Sequence, residues 1–319
     1  ESDIDSDEAT RPYLLITYKN QTGINSYMTY TDITHKDGMS NINNLNGNLT
    51  SNFDLNKTVS GKFPVNLSLY YNSTDSIIDN YTNISKGWKF NLLETIEEVT
   101  INDTPYLLFI ESSGAVHYMY KDTEDTYVDE DGLNLTARLI NNSYEIIDIY
   151  SNKKIFNKMN NKYFLIKVID TESNEINLNL VDGKLTKIID ANNSEININY
   201  TENLITITSD YTVSKIHINN NLITSIETIN GTTSFLYDSN NLIIKITDDN
   251  GLCKTFEYYN SNPFKVKKVT EYGLNDEVGK HLLFSYEGNM TIISDDTGKK
   301  IIHSFNNNGN TIVTRLHTS

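Results

Sequence analysis

The sequence predicts an all-β protein made of stacked antiparallel β-hairpins that form a spiralling sheet. Three observations predict it. Apolar and polar residues alternate with period 2 along most of the chain, turn-forming residues punctuate the alternating runs, and the second half repeats in steps of 18 to 24 residues. Successive side chains of a strand point to opposite faces, so a strand with one face in a core must alternate in this way. No stretch of helical length carries the 3.6-residue period that an amphipathic helix would show.

Composition narrows the function classes. The chain has 319 residues, with 42 Asp and Glu against 26 Lys and Arg, for a formal net charge of −16. That balance opposes a nucleic-acid surface and binding to anionic membranes. Hydrophobic residues make up 38%, and 45 Asn stand beside abundant Ile and 21 Tyr, a mixture with too much β-forming apolar surface for a disordered chain. Cys253 is the single cysteine, which excludes an intrachain disulfide and a cysteine-based zinc site. No apolar run reaches the length of a membrane span, so no membrane insertion is expected.

Taken in order, residues 1–12 read as an acidic, disordered lead. Asp3, Asp5 and Asp7 have the alternate spacing of a calcium loop, but the turn glycine and the distal glutamate are missing. Residues 13–160 read as an N-terminal β region that precedes the repeats. Within it, Val65-Asn66-Leu67-Ser68-Leu69-Tyr70 alternates strictly. Residues 161–319 read as degenerate hairpin repeats continuous with that region. Taking Leu165, Leu185, Leu204, Leu222, Leu242, Val266 and Met290 as equivalent gives steps of 20, 19, 18, 20, 24 and 24 residues. Asp182-Gly183, Asn192-Asn193, Asn230-Gly231 and Asn250-Gly251 supply residues that tolerate positive φ, as two-residue hairpin turns require. One hairpin is marginal in water, whereas stacked hairpins bury a common face.

The residues that could carry chemistry are weighed against plain structural roles. The six histidines (His35, His117, His217, His281, His303 and His317) show no metal-ligand spacing and are expected on exposed strands and turns. Cys253 reads as a small packing residue. Asp170, Asp190 and Asp248 recur at the turn position of successive units, where an Asp side chain caps its own backbone, so turn chemistry is favoured over catalysis. No catalytic, cofactor-binding or metal constellation emerges; the reading is non-enzymatic, with no cofactor. Among Tyr70, Tyr71, Tyr81, Trp88, Tyr118, Tyr120, Tyr258 and Tyr259, adjacent pairs must face opposite ways in a strand. An outward tyrosine suits stacking on sugars; an inward one is core.

Gly183 to Tyr200, "GKLTKIIDANNSEININY", resembles an RHS repeat, also called a YD repeat, and Phe235 to Tyr258 carries the Tyr237-Asp238 pair followed by a further unit with Asp248, Gly251 and Tyr258. The earlier segment is similar to the strands that precede the repeats in that family: Gly47-Asn48-Leu49, Pro64-Val65 with Tyr71-Asn72-Ser73, and Gly87-Trp88-Lys89-Phe90-Asn91. The resemblance runs from about residue 22 to residue 316. It implies part of a β-shell from a bacterial, secreted or wall-associated cell-surface protein or polymorphic toxin. Such a shell contains or presents a C-terminal toxin or effector of the same parent chain. The chain departs from the pattern where the units ending at Leu180 and near Asn219 lack the Tyr-Asp pair, and no "DPxGL" motif stands near the C-terminus. The alternative is a cell-surface adhesion module whose exposed tyrosines bind cell-wall or host glycans.

Overall fold

The computed structural model describes residues 22–59, 61–75, 82–261 and 263–318. The acidic lead, Asp3, Asp5, Asp7 and Tyr81 lie outside the described residues. The all-β expectation holds: among the described residues the chain forms strands throughout, with one short 3-10 turn at Leu274–Asp276.

The first sheet comprises β1 (Tyr30–His35), β2 (Gly38–Asn43), β3 (Leu49–Lys57), β4 (Asn66–Asn72), β5 (Asn83–Ser85) and β6 (Trp88–Phe90), in the order β1-β2-β3-β4-β6-β5. The chain then enters β7 (Thr95–Ile101), β8 (Thr104–Ile110), β9 (Val116–Lys121), β10 (Thr126–Asp129), β11 (Thr136–Ile140), β12 (Ser143–Ile147), β13 (Lys153–Met159) and β14 (Lys162–Ile169). Each pairs antiparallel with the next, and β14 returns to β7 through Tyr163↔Ile96 and Phe164↔Thr95, closing the sheet into a ring. Ile96, Leu107, Phe109, Met119, Tyr144, Phe156 and Leu165 are buried, with Phe109 edge-on to Phe156 at 5.8 Å. The ring is therefore a packed core and not a pore, as small closed sheets must be.

One strand edge serves two neighbours at the point of closure. The start of β14 pairs with β7, and its end, Lys167 to Ile169, pairs with β15 (Glu175–Val181). From there the ladder winds on through β16 (Lys184–Ile189), β17 (Glu195–Tyr200), β18 (Leu204–Thr208), β19 (Val213–Asn219), β20 (Leu222–Thr228) and β21 (Gly231–Tyr237). It continues through β22 (Ile243–Thr247), β23 (Cys253–Tyr258), β24 (Val266–Tyr272), β25 (Val278–Glu287), β26 (Met290–Asp295), β27 (Lys300–Phe305) and β28 (Thr311–His317), every consecutive pair antiparallel. The first sheet lies against the inner face of this repeat sheet: Phe53 meets Phe235 edge-on at 5.1 Å, and Trp88 meets the same ring at 5.0 Å. The inner face of the repeats is thus covered by the chain's own first sheet where these rings meet.

Two kinds of turn join the strands. Asn102-Asp103, Asn141-Asn142, Asp182-Gly183 and Asn220-Asn221 each place two successive residues at positive φ, the geometry of type I′ hairpins. Asn192-Asn193 and Asn250-Gly251, expected to be turns of the same kind, instead lie inside five-residue loops described below. Asn230 precedes a Gly231 that is already paired with Thr228. The reason is register: an Asp five residues before the next strand, as at Asp190 and Asp248, offers a better-satisfied loop than a bare two-residue turn.

Candidate functional site: the repeat locks and the interface between the sheets

Each winding is built around one side chain and one loop. The loops start at Asp148, Asp170, Asp190, Asp238, Asp248, Asp295 and Asn306. In all seven the side-chain Oδ1 accepts hydrogen bonds from the backbone N–H groups two and four residues on, at 2.8 to 3.0 Å. The residue three places on has positive φ in every case: Ser151, Ser173, Asn193, Asn241, Gly251, Gly298 and Gly309. That requirement places Gly251, at φ +84°, in its loop. The bonds stabilise the charged carboxylate, so Asn174 holds Asp170 below the usual carboxylate range, as Thr297 does for Asp295. Asp170, Asp190, Asp238 and Asp248 each cap the backbone of their own loop.

The side chain of each winding is the one that closes its odd strand. By register Tyr200 pairs with Ile205, Tyr237 with Ile243, Tyr258 with Val266 and Tyr286 with Thr291, while Leu180 and Ile218 stand opposite Leu185 and Ile223. The partner row of Leu185, Ile205, Ile223, Ile243, Val266 and Thr291 is at most 1% exposed throughout. This row corrects the equivalence read from the sequence, which fell one residue early at Leu204, Leu222, Leu242 and Met290. Those positions look alike in composition, but a one-residue slip changes the face.

The tyrosine hydroxyls show what the repeat residue does. The ladder slips at β-bulges beside Leu185, Ile223, Ile243 and Val266. The carbonyls of those four residues accept from Tyr200, Tyr237, Tyr258 and Tyr286 of the following winding, at 2.7 to 2.9 Å. A bulge interrupts the ladder and leaves backbone polar groups to be satisfied otherwise. Where the tyrosine is replaced by Ile218, the preceding pairing of Tyr200 with Ile205 carries no bulge, so there is no interrupted carbonyl to cap. Burial pushes the hydroxyls of Tyr200, Tyr237 and Tyr286 far above their ordinary pKa, so they remain donors.

The pre-repeat motifs dock onto these same bulges. Tyr71, on β4, accepts the Ile243 N–H at 3.2 Å, so Ile243 is held by Tyr71 through its nitrogen and by Tyr258 through its oxygen. Trp88 is fully buried, and its indole N–H donates to the Tyr237 hydroxyl at 3.1 Å. Gly87 accepts the Asn72 N–H at 2.8 Å with φ +76°, and a Cβ there would lie 2.7 Å from the Asn72 oxygen. Asn72 also donates to the Ser113 carbonyl at 2.9 Å, which ties β4 to the ring. Gly47, at φ +72°, accepts the Val266 N–H at 3.0 Å, and a Cβ there would lie 2.6 Å from the Lys265 Cβ and 2.8 Å from the Tyr286 hydroxyl. Pro64 is exposed and stands two residues before β4. The structure thus brings Gly47, Tyr71, Trp88, Tyr237, Asp238, Asp248 and Tyr258 to one interface, leaves Gly251 on an exposed loop, and places Asp170, Asp190 and Tyr200 further back along the repeats.

The remaining candidates separate cleanly. Cys253 is buried and free. The histidines are not uniformly exposed: His117 and His303 are buried, His35 is half-buried, and His217 pairs with Glu227 at 2.8 Å. Burial, with the Lys254 charge, pushes His35 down to about 3, which keeps it neutral. The strand pattern at these positions is apolar, so a histidine placed there goes inward with its neighbours. Of the aromatics singled out, Tyr71 and Trp88 are core, Tyr70, Tyr118, Tyr258 and Tyr259 are half-buried, and Tyr120 is exposed. Among the described residues the most exposed tyrosines, Tyr150 at 70% and Tyr211 at 72%, stand on hairpin turns where alternation gives no signal.

No family model matches the chain, and neither does any curated protein. Solved structures with related backbone courses include a porin-like protein from Bacteroides uniformis, at 13% identity over 68% of this chain and 61% of that one, with a TM-score of 0.19. The TcdB2-TccC3 structure matches at 10% identity over 97% of this chain and 21% of that one, with a TM-score of 0.36. The TcdB2-TccC3-TEV structure matches at 11% identity over 80% and 17%, with a TM-score of 0.21. The chain spans less than two thirds of each of these, and the reading below rests on its own residues.

Proposed function

We propose that this chain is a non-enzymatic structural segment of an RHS/YD-type β-shell in a secreted or surface protein of a bacterium, and that it contains or presents an effector segment of its parent chain. The observation that carries this reading is the coupling of the two motif sets. Tyr71 and Trp88, from the pre-repeat motifs, bond to Ile243 and Tyr237 at the repeat bulges, so the two halves of the resemblance act as one interlocking structure. The repeat Asp and Tyr side chains are occupied in backbone hydrogen bonds, which favours a scaffold over a catalyst.

Native-state proteolysis of the protein expressed from its full reading frame tests this. A C-terminal segment that resists a broad protease and becomes cleavable only on unfolding supports containment. A segment cleaved freely, or a frame that holds no residues beyond Ser319, refutes it.

The exposed Tyr150 and Tyr211 favour the second reading, a glycan-binding surface module. It predicts saturable oligosaccharide binding that Tyr150→Ala or Tyr211→Ala abolishes without loss of folding. Unchanged or absent binding removes it.

A further inference from the structure

A buried ionic cluster lies where the chain passes from the first sheet into the ring. Glu94, the residue before β7, is 7% exposed, and both its carboxylate oxygens accept from Lys154 on β13, at 2.9 and 2.7 Å. The Lys154 ammonium sits 5.2 Å from the centre of the Phe109 ring. On that ring, 5.7 Å away, packs His117 of β9, which is 2% exposed. Its Nδ1 lies 3.2 Å from Asp131, in the loop between β10 and β11, and its Nε2 lies 3.5 Å from Glu111, in the β8–β9 turn. Two further groups act on the cluster: Asp148, from the β12–β13 loop, on Lys154, and Tyr70, from β4, which feels Glu111 and Glu94.

The charge count is uneven. Three carboxylates (Glu94, Glu111 and Asp131) share the site with two bases, Lys154 and His117. Even with both bases charged, one negative charge is left over in a place poor in water, where uncompensated charge is costly. A proton taken up by one carboxylate cancels it. The cluster lies within the ring, beside its join with the first sheet. The Glu111 turn holds Ser113, whose carbonyl accepts from Asn72 of β4, and Gly114, whose carbonyl accepts from Thr22. The Glu94 carbonyl in turn accepts the Leu165 N–H of β14 beside the ring closure.

We propose that this cluster is a proton-tightened clasp, which holds the ring together beside its join with the first sheet more firmly at mildly acidic than at neutral or alkaline pH. Glu94 is the group that takes the proton. Burial raises its pKa above the ordinary carboxylate range, and the Lys154 charge offsets only part of that. Burial alone would also raise Glu111, but the hydrogen bond to His117 outweighs it and leaves Glu111 lowered. Glu94 therefore protonates first, and the His117 clamp survives. A group whose pKa is higher in the folded state binds its proton more tightly there, so protonation stabilises the fold. The clasp tightens as pH falls through the Glu94 range, and it loosens only when Glu111 is itself protonated at lower pH.

The test is amide hydrogen exchange of Gly114 and Leu165, corrected for intrinsic rates, at pH 5.5 and pH 8 on the intact chain. Protection should rise towards pH 5.5, with a ceiling of about tenfold per pH unit for one proton. Glu94→Gln, which imitates the protonated acid, should raise protection at pH 8 and reduce the pH dependence to the part that His117 contributes. Protection that is flat or falls towards pH 5.5 in the parent overturns the proposal. So does a Glu94→Gln variant that retains the parent's pH dependence. Glu257→Gln, at a surface ion pair with Lys268 far from the cluster, should follow the parent throughout.

Discussion

Replacing Tyr237 by Phe removes one oxygen atom and strands two buried partners. The hydroxyl donates to the Ile223 carbonyl at 2.7 Å and accepts the Trp88 indole N–H at 3.1 Å. Ile223 and Trp88 are both fully buried, so water is a poor substitute for the lost oxygen. A buried polar group left unpaired costs about 1–3 kcal/mol, so two should cost about 2–6 kcal/mol together. Tyr200→Phe is the internal control, because its hydroxyl serves only the Leu185 carbonyl and its loss should cost about 1–2 kcal/mol. The assay is urea unfolding followed by the emission of Trp88, the single tryptophan, which reports the same contact. Tyr237→Phe should lower the midpoint clearly more than Tyr200→Phe does. Equal midpoints for the two variants would show that the indole bond contributes nothing and that sheet docking rests on packing alone.

Two further outcomes follow from other residues. Burial alone would lower the His117 pKa, but hydrogen bonds to Asp131 and Glu111 outweigh it and raise the pKa to about 9 from 6.5, a difference worth ~3 kcal/mol. That stabilisation is fully present below pH 6.5 and is lost as pH rises through about 9. The parent's unfolding free energy should therefore fall across this window, and that of His117→Gln should stay level; parallel curves count against the assignment. Asp248→Asn should change stability by less than about 0.5 kcal/mol, because Asn306 makes the same loop with its amide oxygen, while Asp248→Ala should cost ~1 kcal/mol. A thermal melt in which Asn behaves like Ala would mean that charge, and not the oxygen acceptor, holds the loop.

What was legible in the sequence is what depends on local spacing. Period 2 gave the strands, the recurring Asp gave the capped loops, and the closing tyrosine of each unit gave the repeat. The register within each unit was less legible, because Leu204-Ile205 and Leu222-Ile223 are apolar pairs and composition does not say which member faces inward. The ring closure was not legible at all: Tyr163↔Ile96 joins residues whose local patterns are ordinary. The same holds for Tyr71 and Ile243, which meet across 172 positions. The His117 cluster escaped notice because its members are single residues on five separate elements: Glu94, Glu111 and Asp131 stand in connections, where carboxylates read as solvated, and a histidine or lysine on a strand reads as an outward face.

The inner face beyond the first sheet bears on the choice between shell and glycan module. Register places Phe284, Ile293, Ile301 and Leu316 in one row across β25 to β28. Along that row exposure climbs from 2% and 4% to 38% and 67%, as the repeats outrun the sheet that covers them. The covering sheet reaches β28 through a Thr29–Thr311 hydroxyl contact at 2.8 Å. The opposite face of the same strands carries Lys300, Arg315 and His317 together with Ile302 and Val313. The inner row stays apolar past the end of its cover, and exposed apolar rows of this kind mark contact surfaces. A shell that meets further polypeptide along its inner wall accounts for that pattern. A module that binds glycans through tyrosines on its hairpin turns gives no reason for it.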